Sequence, residues 1–102
     1  MEATREYARR LKERFGSRLR WVRLYGSQAR GEARETSDLD VLAVVADLSW
    51  PEKVEAIDLA FEVSLQHRIH VSPVVMSESD FDRLVALESA FAESVLREGI
   101  AA

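Results

Sequence analysis

The apolar positions along this chain fall into blocks of two different periods. Ala3, Tyr7, Leu11 and Phe15 recur every four residues, which predicts one apolar helical stripe over about residues 3–15. Gly16 and Ser17 end it, Gly16 in the position of a C-cap glycine. Leu19, Trp21, Val22, Leu24 and Tyr25 then form a short β-prone run, with Arg20 and Arg23 facing outward for part of it. Residues 27–37, SQARGEARETS, are polar and read as a helical turn followed by a loop. Residues 39–46, LDVLAVVA, are the most hydrophobic stretch and predict a central strand buried on both faces. Trp50-Pro51 opens a second helix behind a Ser49 N-cap, with Val54, Ile57, Phe61 and Leu65 as its buried stripe. Residues 68–76, RIHVSPVVM, predict a third strand. Pro73 has no N–H for a ladder, so that strand belongs at an edge or carries a bulge. Ser77 caps a last helix or helix pair, with Asp80 three residues on and Phe81, Leu84, Leu87, Phe91 and Val95 as its stripe.

The order α-β-(short α)-β-α-β-α predicts a single α/β (α+β) domain over residues 1–102, with helices packed on a small mixed sheet of about three strands. A chain of 102 residues removes roughly 65% of its surface from water on folding, enough for one modest core. Hydrophobic residues at 47% and charged residues at 31% are globular values and exclude wholesale disorder. No apolar run approaches the roughly 20 residues needed to span a bilayer, and the charged start MEATREYARRLKERF does not read as a signal peptide. Zero cysteines exclude disulfides, thiolate metal sites and a cysteine nucleophile. The expectation is a soluble cytoplasmic protein without membrane association. A net charge of -4 argues against general nucleic-acid binding, which needs a basic surface to release counterions.

Candidate chemistry concentrates in residues 26–40, GSQARGEARETSDLD. Asp38 and Asp40 stand two apart at the start of a strand, so both carboxylates point to one face, their β-carbons about 7 Å apart. That is close enough to share divalent cations, and carboxylate oxygen is what Mg²⁺ prefers, with substrate phosphates and water as its remaining ligands. Gly26-Ser27 closes the preceding strand. Glycine lets a phosphate approach the backbone, the amides that follow favour its charge, and the Ser27 hydroxyl adds a donor. Taken singly, each pair is an ordinary turn or cap; together they are the minimum apparatus for Mg²⁺-assisted phosphoryl or nucleotidyl transfer. A P-loop is excluded: Gly26 and Gly31 have its separation, but Glu32-Ala33 stand where Lys-Ser/Thr is required.

Gly26-Ser27, ten residues, then Asp38-Leu39-Asp40 resembles the signature of the DNA polymerase β-like nucleotidyltransferases. The fuller string G-S-x-A-R-G-x-A-x-x-x-S-D-x-D is similar to that of their minimal nucleotidyltransferase (MNT) family, and the likeness extends over nearly the whole chain, SPVVMSESDFDRL included. This resemblance implies the polymerase β-like nucleotidyltransferase fold. It implies a nucleoside triphosphate such as ATP held by Gly26 and Ser27, with two Mg²⁺ ions on Asp38 and Asp40; Arg30 in the motif loop reads as a further nucleotide contact, a partner contact or solvated surface. It further implies transfer of AMP to a hydroxyl acceptor, plausible acceptors including a HEPN-domain toxin that the MNT member neutralises.

The family's third carboxylate, the expected general base, has no counterpart: no acid occurs between Glu62 and Glu78, and His70 stands on the strand where it is sought. His70 as a substitute base or ligand makes the chain an enzyme; His70 as a bystander leaves a noncatalytic antitoxin with a degenerate nucleotide site. His67 and His70, three apart on a strand, would face opposite ways and form no metal pair. Arg34 is a triphosphate or partner contact, or solvated surface; Trp50 stacks on a base or packs as an N-terminal staple. Phe81 and Phe91 read as core or helix–helix interface. So small a core leaves little to enclose an acceptor, which points to a partner chain or a homo-oligomer.

Overall fold

The computed structural model describes residues 2–26 and 38–102. The helical turn and loop expected over residues 27–37 lie outside them. The chain runs α1 (Glu2–Phe15), a 3₁₀ turn (Gly16–Arg18), β1 (Leu19–Tyr25), β2 (Leu39–Val45), α2 (Trp50–His67), β3 (Val71–Ser77), α3 (Glu78–Ala86), α4 (Ala90–Glu98) and β4 (Ile100–Ala101). The sheet is mixed and has four strands, in the order β3-β2-β1-β4. The fourth, absent from the expected three, is a two-residue strand pairing antiparallel with Arg23 and Leu24 of β1. It is too short to leave any periodicity in the sequence.

Each element has a local cause. Gly16 adopts φ +58°, the left-handed conformation that ends α1 at little cost to glycine. Ser49 and Glu52 form a reciprocal capping box at the start of α2, with Pro51 in its first turn. Arg18 reaches across to Glu52, which with the Ser49 cap holds that carboxyl down at about 2. β2 is central and almost wholly buried, antiparallel to β1 and parallel to β3 through the α2 crossover. β3 lies at the sheet edge, as Pro73 requires. The last helical segment is a pair, α3 capped by Ser77 and α4 by Ser89.

Helices cover both faces. Val41, Ala43 and Val45 of β2 pack with Tyr7, Leu11 and Phe15 of α1 and Ala56, Ala60 and Val63 of α2. Leu42 and Val44 point the other way, onto Phe81 of α3 and Ala92 and Val95 of α4. The expected stripe of α1 is buried throughout, and the Tyr7 hydroxyl donates to the Ala56 carbonyl at 2.8 Å.

Two stripes differ from expectation. In α2 the residues facing the core are Ala56, Ala60 and Val63, while Val54, Ile57, Phe61, Leu65 and the supposed staple Trp50 are exposed. Small side chains let α2 approach β3 and α1 closely, and its large apolar residues lie on another side. In the α3–α4 pair Phe81 and Val95 are buried and Leu84 and Phe91 partly so, but Leu87 is exposed, because it sits in the interhelical turn.

Val63→Ala is therefore expected to lower the unfolding free energy by about 2 kcal/mol, from lost methylenes and the cavity they leave. In dilute protein Phe61→Ala should cost under about 1 kcal/mol despite removing a larger side chain. Urea titrations of the two variants check this; the reverse ranking would return Phe61 to the core.

Candidate functional site

The site forms where β1 ends and β2 begins. Tyr25, the last residue of β1, pairs with Asp40, so the turn residue Gly26 falls beside the Asp40 carboxylate. Gly26 has φ +76°. A β-carbon built on it would lie 2.6 Å from Asp40 Oδ2, well inside contact distance. The backbone conformation favours glycine, and a side chain there would also push the Asp40 carboxylate out of its place.

Strand alternation places Asp38 and Asp40 on the Leu42–Val44 face, the one covered farther along by α3 and α4. Asp40 is half-buried and Asp38 exposed at the mouth of the strand. Burial, then the neighbouring Asp38 charge, push the Asp40 carboxyl above its ordinary value, and His70 opposes them. Tyr25 packs edge-to-face on Phe91 of α4, ring centroids 5.4 Å apart, and forms one wall. Burial and the Asp40 charge push its phenol up as well.

The other wall is β3. The Leu39 amide donates to the His70 carbonyl at 2.9 Å, and the parallel register aligns Leu39 with Val71 and Asp40 with Ser72. Ser64 fixes this start of β3: its hydroxyl donates to the Ala60 carbonyl and accepts from the Val71 amide. His70 therefore lies just before β3, exposed and level with Asp38, and the side chain aligned with Asp40 belongs to Ser72. Sequence reasoning passed over Ser72 because the strand-to-strand register was not readable from spacing. His67 closes α2 and His70 precedes β3, so neither sits on a strand as expected and the two belong to different segments; the Nε2 of His67 is buried. Ser27, Arg30 and Arg34 lie outside the described residues. Trp50, at the far end of the α2 crossover, is not part of this cluster.

Among the described residues no cation pairs with Asp38 or Asp40, and no three His, Asp or Glu side chains gather as a metal cluster. Two adjacent carboxylates, one with its protonation favoured by burial and then by the other's charge, suit a divalent cation whose remaining ligands are phosphate and water. The bare backbone at Gly26 is what lets the Asp40 carboxylate lie against the turn, at the mouth of the strand where such a cation would sit.

A family model described as nucleotidyltransferase domain matches residues 4–100. The chain is 32% identical over 98 residues to MJ0604 of Methanocaldococcus jannaschii, provisionally named a protein adenylyltransferase, covering 96% of this chain and 92% of that protein. It is 33% identical over 92 residues to the protein adenylyltransferase MntA of Thermococcus cleftensis, covering 90% of this chain and 81% of that one. A crystal structure of a toxin–antitoxin with AMP-PNP shares the fold at a TM-score of 0.61 and 22% identity, over 93% of this chain and 68% of that chain.

The raised Asp40 value carries a sign. The folded state favours its protonated form, so ionisation at neutral pH destabilises the metal-free fold, and the stability gained by protonation is lost as pH rises through the carboxylate range. Asp40→Asn should accordingly be more stable than the parent at pH 7 without metal, with the advantage shrinking as pH falls through the raised Asp40 range and gone below the ordinary aspartate value. Thermal unfolding in chelator across pH 3–8 (a range on the scale of carboxylate titration, about pH 4) measures it; an advantage that is absent at pH 7 would contradict the electrostatics described above.

Proposed function

This chain belongs to the nucleotidyltransferase domain family, and from that premise we propose that it transfers AMP from ATP, with Mg²⁺, to a hydroxyl of a partner protein, a HEPN-domain toxin being the candidate acceptor. The reaction class follows from the family: the chain is a nucleotidyltransferase with relatives named for protein adenylylation. The observation that carries the finer reading is the pair of neighbouring carboxylates at the mouth of β2, Asp38 exposed and Asp40 seated against the bare backbone of Gly26.

In this reading the backbone at Gly26, with Ser27 and Arg30, seats the triphosphate, and Asp38 and Asp40 hold the cations. Divalent ions bound there neutralise triphosphate charge and act as Lewis acids on its oxygens. The acceptor hydroxyl forms a bond to the α-phosphorus while the bond from that phosphorus to the bridging oxygen breaks, and pyrophosphate leaves with the electron pair. The hydroxyl proton goes to a base, for which His70, level with Asp38 and open to solvent, is the available imidazole. Tyr25, held by Phe91, keeps one side of the site apolar up to its hydroxyl. The toxin acceptor is supported by the name MntA in one relative and by a structural neighbour that is a toxin–antitoxin bound to a nucleotide analogue.

A second reading, a noncatalytic antitoxin, draws on one observation: Ser72, not an acid, aligns with Asp40. ATP labelled at the α- or the γ-phosphorus separates the two when incubated with Mg²⁺ and the co-expressed partner or cell lysate. Transfer of α label alone, reduced about 100-fold or more by Asp38→Asn and by Asp40→Asn, is the expected result. Ser72→Asp should raise the rate more than His70→Asp. Nucleotide binding without transfer, in the parent and in Ser72→Asp alike, would establish the noncatalytic reading instead.

A further inference from the structure

The exposed apolar residues of α2 are not scattered. Trp50, Val54, Ile57 and Phe61 recur at spacings of four, three and four, and Leu65 continues the row four residues on. On a helix these positions span roughly 80° of the circumference, from the rotation of about 100° per residue. The buried residues Ala56, Ala60 and Val63 lie on a different side of the same helix. The five side chains are 72%, 41%, 40%, 64% and 66% exposed, in chain order. Scaled by these exposures, they leave on the order of 500 Å² of apolar surface in water, as large as the biggest patch of a typical monomer.

The row has coiled-coil form, with Trp50 and Ile57 at d, Val54 and Phe61 at a, Lys53 at g, and Asp58 and Leu65 at e. Its charges are free to act between chains. Of the three acids on the flank towards α1, Glu55 pairs with Arg14 and Glu62 with Arg10, whereas Asp58 between them forms no ion pair among the described residues. Lys53 on the opposite flank likewise forms none, and its ammonium sits 5.8 Å over the Trp50 ring. In a parallel pair of helices a g residue meets the e residue five positions on in the other chain, which puts Lys53 against Asp58 in both directions. In an antiparallel pair e faces e, and Asp58 would meet its own copy near the centre.

From this self-complementary pattern we propose that α2 is the interface of a homodimer, two copies packing parallel about a two-fold axis along the helix. Burying the row on both copies removes about 1,000 Å² from water before any flanking contacts, the threshold for a specific interface. α2 covers the sheet face opposite the one from which Asp38 and Asp40 project, so pairing through it leaves both nucleotide sites open.

Sedimentation of the purified chain from micromolar to millimolar concentration reads the assembly directly. A dimer is expected, converted to monomer by Phe61→Glu, whose circular dichroism should match the parent because residue 61 is solvent-exposed. Lys53→Glu and Asp58→Lys should each weaken the dimer about tenfold or more, and the double exchange should recover most of the loss. Because the chain has no cysteine, Trp50→Cys and Ile57→Cys can each report on a single thiol pair. A parallel pair oxidises to a disulfide-linked dimer at both positions; an antiparallel pair would do so only at residue 57. A parent that stays monomeric throughout, a dimer that survives Phe61→Glu, cross-linking confined to residue 57, or no recovery in the double exchange would each overturn the proposal. The first of these would hand the row to a different partner protein.

Discussion

The site depends on one close approach, that of the Asp40 carboxylate to the backbone of Gly26. The approach is set by the sheet: antiparallel pairing of Tyr25 with Asp40 brings the turn after β1 against the start of β2, and any side chain at residue 26 would displace the Asp40 carboxylate. A carboxylate brought beside bare backbone, near a second carboxylate, is poorly solvated and poorly compensated by the protein itself, which is why its protonated form is favoured. The arrangement is costly to the empty fold, and in the proposed function a cation-bound polyphosphate would offset that cost, a common division between stability and function at binding sites.

The rest of the molecule supports that approach from two sides. The Leu42–Val44 face and α4 position Tyr25 through Phe91, and the face with α1 and α2 seals β2 from behind. Ser64 at the end of α2 ties the crossover to the first amide of β3, so the register of β3 on β2 follows from a helix residue. That register places His70 level with Asp38 and Ser72 level with Asp40. The helix that fixes one wall of the site also displays the apolar row on its outer side, so the proposed assembly and the proposed nucleotide chemistry would occupy opposite faces of one sheet.

Much of this was legible in the chain. The fourfold spacing of Ala3, Tyr7, Leu11 and Phe15 marked a helix and its buried side together, because α1 has one apolar stripe and the core takes it. The Gly26-Ser27 to Asp40 segment pointed to the nucleotidyltransferase family through residue types that ordinary strands and turns do not need in combination. In α2 the same periodicity misled, since it identifies an apolar row without saying what covers it, and the core there takes Ala56, Ala60 and Val63. β4 was invisible because two residues have no period, and Ser72 was missed because parallel register is decided by long-range hydrogen bonds such as Leu39 to His70. Local pattern identified elements; which faces meet was decided between them.

The central claim, that Gly26, Asp38 and Asp40 form a cation-dependent triphosphate site, is most directly tested by calorimetric titration of ATP into the purified chain with and without Mg²⁺. Saturable binding that requires Mg²⁺ and disappears in Gly26→Ala is the result the account requires. Binding of equal affinity without Mg²⁺, or binding that Gly26→Ala leaves untouched, would contradict it.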